Sequence, residues 1–156
     1  MKRFDVWNRK NIYAFDVGCG KRPTLGIMLA YLRTWEIISL DPKVESREEH
    51  RRVNRFCVYS YKLGEVSPFL KPCFMQYEEI VVCANHSHHQ FSEVENITQY
   101  AGVHYFVNPC CIDNLPKNIK GECYINTKIW SDKNRLYYFY LPKKNFEKAR
   151  EENVSS

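Results

Sequence analysis

Phe15-Asp16-Val17-Gly18-Cys19-Gly20 decides how this chain is read. Residues 11–17 have the composition of a buried strand, and the run stops at two glycines separated by one residue. Glycine at such a stop lets the backbone turn sharply and lie against a ligand with no Cβ in the way. Residues 23–33 then have helical composition and open on Pro23, which suits the first turn of a helix. Strand, glycine turn and helix in that order are the opening unit of a parallel α/β sheet.

Outward from this unit the pattern repeats. Residues 36–40 read as a second strand closed by Asp41-Pro42, and residues 45–55 are polar nearly all round, an exposed helix or a solvated loop. Residues 55–61 read as a third strand stopped by Gly64. Residues 79–84 read as a fourth, whose Ile80-Val81-Val82-Cys83 centre suits the middle of a sheet. A helix is expected over 91–100 and a fifth strand over 103–107, before Asn108-Pro109. Residues 123–130 and 135–141 flank Ser131-Asp132-Lys133-Asn134 and read as a β-hairpin. The expectation is one domain over residues 1–156, with its core in 11–141 and a charged tail or exposed helix over 143–156.

Composition narrows the function classes. Lys and Arg outnumber Asp and Glu by 23 to 18, a net charge of +5, which is a mild lean toward an anionic partner. An aromatic share of 15% argues against disorder. The longest apolar stretch, residues 25–32, is too short to cross a bilayer, so no membrane partner is expected. Met1-Lys2-Arg3 is followed by Asp5, Asn8 and Arg9, with no signal-peptide core. Seven cysteines, an odd number, read as reduced thiols in a cytoplasmic protein, so the sequons at Asn85, Asn96 and Asn153 carry no weight. The Asn-, Tyr- and Cys-rich composition has a viral character, which would make that the host cytoplasm, within a larger polyprotein or beside a partner subunit. Cys110, Cys111 and Cys123 with His86, His88 or His89 include no Cys-x-x-Cys pair, and no metal site is expected.

A second signal strengthens the glycine turn. Ile38-Ser39-Leu40-Asp41 places an acid at the end of the next strand, about 20 residues after the glycines, where such folds accept hydrogen bonds from a ribose diol. Together the two motifs resemble class I S-adenosylmethionine-dependent methyltransferases, whose first motif is Asp/Glu-x-Gly-x-Gly. The dinucleotide-binding alternative asks for a third glycine where Pro23 stands. The resemblance implies a Rossmann-like α/β fold. Its central, mostly parallel seven-stranded sheet would end in the antiparallel hairpin and carry helices on both faces. It implies S-adenosyl-L-methionine as cofactor. Asp16, Gly18, Cys19 and Gly20 would surround the methionine part, Asp41 the ribose hydroxyls, and Pro42 the adenine. After the third strand the family often has an Asp near the adenine amino group, where this chain has Tyr59-Ser60-Tyr61, making Ser60 and Tyr61 the substitutes.

After the fourth strand the chain reads Asn85-His86-Ser87-His88-His89-Gln90-Phe91. This segment loosely resembles the Gln-Phe-x-x-His segment of messenger-RNA cap guanine-N7 methyltransferases, which implies catalytic positions at Asn85, His88 and His89. Ribose 2′-O transfer needs a base, and no acid follows Asn85 until Glu93. A guanine N7 lone pair needs only alignment and electrostatics. RNA is the expected partner, with Lys10 of the basic amino-terminal group near the cofactor mouth and Tyr124 and Trp130 as stacking candidates. Asn108-Pro109-Cys110-Cys111 is read as a turn. The rivals are a methyltransferase for a small molecule or protein side chain, and an inactive scaffold that keeps the fold.

Overall fold

The computed structural model describes residues 5–85, 87–108 and 136–144. Five strands are parallel: β1 (Tyr13–Val17), β2 (Glu36–Leu40), β3 (Phe56–Tyr59), β4 (Glu79–Asn85) and β5 (Gly102–Asn108). A sixth, β6 (Tyr137–Leu141), runs antiparallel beside β5, and the sheet order is β3-β2-β1-β4-β5-β6. The helices are α1 (Thr24–Leu32), α2 (Glu48–Arg51), α3 (Leu63–Phe74) and α4 (Phe91–Ile97). The order reverses between β1 and β4. At such a switch point the loops leaving adjacent strands part and open a crevice at the carboxyl edge. Register sharpens this, because Val17 lies level with both Leu40 and Ala84. The glycine turn, Asp41 and Asn85 therefore leave the sheet at one height.

Alternation along the strands sorts the core into two layers. Phe15, Val17, Ile80 and Val82 face α3 and α4, meeting Leu63, Val66, Phe74, Val94 and Ile97. Ala14, Ile37, Val81 and Cys83 face the other way, toward Leu29, Ala30 and Trp35. Helices on both faces are as expected. The described sheet has six strands rather than seven, and the first arm of the expected hairpin, residues 123–130, lies outside the described residues. Its second arm is β6.

The α3 helix is the element that sequence reading missed. Pro68 and Pro72 lie inside it, and proline in a helix removes a backbone donor and crowds the preceding turn. Both prolines are exposed, while Leu63, Val66, Leu70 and Phe74 form a stripe of helical spacing against the core. Glu65 secures the start of the helix by accepting the Lys62 backbone N–H at 2.7 Å. By contrast α2, in the charged block, is a single exposed turn. No helix among the described residues is long and apolar enough to cross a membrane.

Asp16 ties three elements together. It is buried on the α1 side of β1, and one carboxylate oxygen accepts the Gly26 N–H from α1 and the Ser39 hydroxyl from β2, each at 3.0 Å. Burial, the largest influence, raises the pKa of this carboxyl, and the two hydrogen bonds oppose it. The helix comes so close that a Cβ on Gly26 would lie 2.1 Å from Ser39 Oγ. Gly26→Ala is expected to cost about 1–3 kcal/mol of stability through this overpacking. Urea denaturation checks it, with an unchanged midpoint as the contrary result.

Candidate functional site

The turn after β1 is left-handed at both glycines, with φ of +73° at Gly18 and +68° at Gly20. Gly18 donates its N–H to the Leu40 carbonyl at 2.8 Å, which binds the turn to the end of β2. A Cβ there would fall 2.6 Å from the Cβ of Ser87, so Gly18 is demanded by both conformation and space. Gly20 donates its N–H to Asp41 Oδ2 at 3.0 Å, and the Lys43 N–H reaches Asp41 Oδ1 at 2.7 Å. An ionised carboxylate offers about four lone-pair positions, so Asp41 retains acceptor capacity on both oxygens. Beside it the Ser60 hydroxyl donates to the Pro42 carbonyl at 2.9 Å and fixes that residue. Burial, then the charges of Asp16 and Asp41, push the Cys19 thiol up to about 12, which leaves it neutral.

These parts wall a cleft of about 340 Å³ at the carboxyl edge of the sheet. It gathers Gly18, Asp41, Pro42, Tyr61, His88 and His89 from the expected positions. Gly20 joins through its bond to Asp41. Asp16, Cys19 and Ser60 are not on the wall and act from behind it. Asn85, exposed at the end of β4, accepts the Asn108 side-chain N–H at 3.2 Å and is also off the wall. Lys10 is corrected outright. It precedes β1, so it sits at the amino edge of the sheet beside a hollow shared with Glu78 and Glu79, a full strand length from the cleft. Tyr124 and Trp130 lie outside the described residues. Among the described residues no cluster of His, Cys, Asp or Glu could hold a metal ion.

Lys62, Leu63 and Glu93 are among the cleft residues that were not anticipated. All depend on α3, whose first turn packs against the start of α4. The Glu93 carboxylate approaches Gly64 so closely that a Cβ there would meet its Oε1 at 2.8 Å. Burial raises the pKa of Glu93 despite the Gln90 and Gly64 backbone hydrogen bonds and the nearby Lys62 charge. On the same wall His89 Nε2 lies 2.6 Å from the Tyr105 hydroxyl of β5. Burial pushes the His89 imidazole down to about 4, so it is neutral at pH 7. The same burial drives the Tyr105 phenol above its ordinary range.

No protein-family model and no curated protein sequence matches this chain. Solved structures do. A mutant of MtNAS in complex with S-adenosylmethionine superposes with a TM-score of 0.55 at 12% identity, over 89% of this chain and 57% of that one. MtNAS in complex with MTA and tNA gives 0.54 at 12%, over 88% and 55%. A mutant 16S rRNA (adenine(1408)-N(1))-methyltransferase from Catenulisporales acidiphilia, with cosubstrate SAM, gives 0.54 at 10%, over 89% and 88%. The chain thus spans little more than half the length of the MtNAS chains. At these identities the likeness is one of fold. The chain has the α/β, Rossmann-like fold seen in the methyltransferase among these structures.

Histidine burial gives the fold a pH signature, one of the two groups being at the cleft. His89 and His104 are each held at about 4, against 6.5 for an unperturbed imidazole. For His104, whose ring nitrogens meet the Tyr138 hydroxyl at 2.9 Å and the Glu79 carboxylate at 3.2 Å, burial is again the main cause, with Arg9 adding to it. Above the unfolded pKa neither state takes up the proton; below it only the unfolded chain does, until the folded value is reached. Stability is therefore expected to be flat above pH 6.5 and to fall from there to about 4 as far as these groups govern it. His89→Gln should remove roughly half of that histidine contribution, because His104 remains. Urea midpoints across this range test it, and a slope unaffected by the substitution would count against the buried neutral imidazole.

Proposed function

We propose that this chain is an S-adenosylmethionine-dependent methyltransferase acting on a ring nitrogen of a purine in RNA, with the N7 of a messenger-RNA cap guanine as leading substrate. The observation that carries the reading is the 3.0 Å bond between Gly20 and Asp41, which joins the glycine turn to a carboxylate with unused lone pairs at the switch point. The fold likeness to an RNA methyltransferase and the net charge of +5 support the RNA substrate.

The residues fit the cofactor. Asp41 has acceptor capacity for two ribose hydroxyls. Leu40, Pro42 and Leu63 offer apolar surface for adenine, with Tyr61 beside them. Gly20 leaves the backbone open to the amino-acid arm, while Ser87 lies against Gly18, and Asp16 keeps the turn in place from beneath. When bound, the cofactor supplies a methyl group on a positively charged sulfur. The chain's task is then alignment. His88 and His89 stand on the cleft wall after β4, where the acceptor base would enter, and Asn85 roots their segment at the strand end. A ring-nitrogen lone pair carries no proton to be removed, so a neutral His89 serves as a polar contact rather than a base.

The Ser87 contact on Gly18 favours a second reading, a scaffold that keeps the fold without the cofactor. Calorimetry with S-adenosylhomocysteine separates the two. Binding is expected, and Asp41→Ala should weaken it roughly tenfold or more through loss of charged hydrogen bonds. Absence of binding, or affinity indifferent to Asp41, supports the scaffold. Labelled cofactor offered with capped RNA, uncapped RNA and a metabolite panel tests the substrate, and label found only in a metabolite removes RNA.

A further inference from the structure

We infer that His89 and Glu93 act as a donor–acceptor pair that reads one edge of the purine accepting the methyl group, an edge where an acceptor atom stands beside an N–H. This rests on the methyltransferase reading and extends it to substrate choice. Among the described residues four buried side-chain polar atoms lack a hydrogen-bond partner, and two of them, His89 Nδ1 and Glu93 Oε2, belong to residues of the same cleft wall. Leaving such an atom unpaired costs about 1–3 kcal/mol. Two in one cleft, on either side of the first residue of α4, mark a place where partners are supplied from outside the chain.

The character of each atom follows from its neighbours. Tyr105 is fully buried and its phenol keeps its proton, so the hydroxyl must donate, and His89 Nε2 is the acceptor within reach at 2.6 Å. With Nε2 accepting, the ring proton of the neutral imidazole sits on Nδ1, and His89 presents a donor. Glu93 turns its carboxylate to the backbone N–H groups of Gly64 and Gln90 and leaves Oε2 as an acceptor. A guanine edge, with O6 beside N1–H, satisfies both atoms. So does an adenine edge, with N1 beside the 6-amino group. A purine lacking a 6-substituent has acceptors there and no N–H.

Both atoms are shut off from water, so an entering base must move part of the wall. Residues 87–90 have no regular structure and are the part able to yield. With the base held and the cofactor bound, the ring-nitrogen lone pair would form the new N–C bond while the C–S bond breaks and its electron pair passes to sulfur. The base would be left positively charged, a charge that the carboxylate of Glu93 on the cleft wall favours.

The test measures equilibrium binding of GMP, AMP and the 5′-monophosphate of unsubstituted purine riboside, each in the presence of S-adenosylhomocysteine. GMP or AMP is expected to bind at least roughly tenfold more tightly than the unsubstituted purine, and whichever does so identifies the base. Glu93→Gln should narrow that gap, because its amide oxygen stays with the backbone N–H groups and its NH2 turns toward the base. Tyr105→Phe should narrow it too, by freeing the imidazole tautomer, and because Tyr105 lies off the cleft wall this variant should keep the wild-type affinity for S-adenosylhomocysteine. Equal binding of all three nucleotides, or a gap that Glu93→Gln leaves intact, overturns the pair. Failure of the wild-type protein to bind S-adenosylhomocysteine overturns the underlying reading instead.

Discussion

One buried carboxylate sets the position of everything at the carboxyl edge. Asp16 accepts a helix N–H and a strand hydroxyl on the same oxygen, so β1, β2 and α1 are fixed relative to one another beneath the glycine turn. The geometry tolerates no side chain at Gly26, which is what allows the helix to come that near. Above this anchor the turn has little freedom: Gly18 is tied to Leu40, and Gly20 to Asp41. The cleft is thus a product of the sheet's interior as much as of its loops.

The two walls differ in kind. On the β1–β2 side the polar groups are satisfied by backbone, and what remains is spare acceptor capacity on Asp41. On the β4–α4 side His89 and Glu93 are held by one partner or one set of partners each and have an atom left over. The first wall suits a sugar, whose hydroxyls add to existing bonds. The second suits a flat heteroaromatic ring that brings its own donor and acceptor.

Much of this was legible in the residues. The glycine turn and Asp41 announce themselves because local chemistry alone explains them, and β2 falls on residues 36–40 as its composition predicts. What stayed hidden depends on contacts between distant segments. Pro68 and Pro72 mask α3 because their cost is local, while the stripe of Leu63, Val66, Leu70 and Phe74 is rewarded only once a core exists. Glu93 stood out in the sequence only as the first acid after Asn85, because its place on the cleft wall depends on α4 meeting the start of α3. His89 finds its hydrogen-bond partner in Tyr105 of β5, a contact between segments that are distant in sequence. Lys10 was misplaced because charge carries no direction; the path of β1 does.

The prolines of α3 have a further consequence. They remove two backbone donors from a twelve-residue helix, so its ladder is thin and its first turn leans on carboxylates, Glu65 from within and Glu93 from α4. A helix whose start is held by its neighbour does not fray alone. The opening free energies of α3 and α4 should therefore be shared, and that side of the cleft swings or melts as one cooperative unit while the β1–β2 side stays shut.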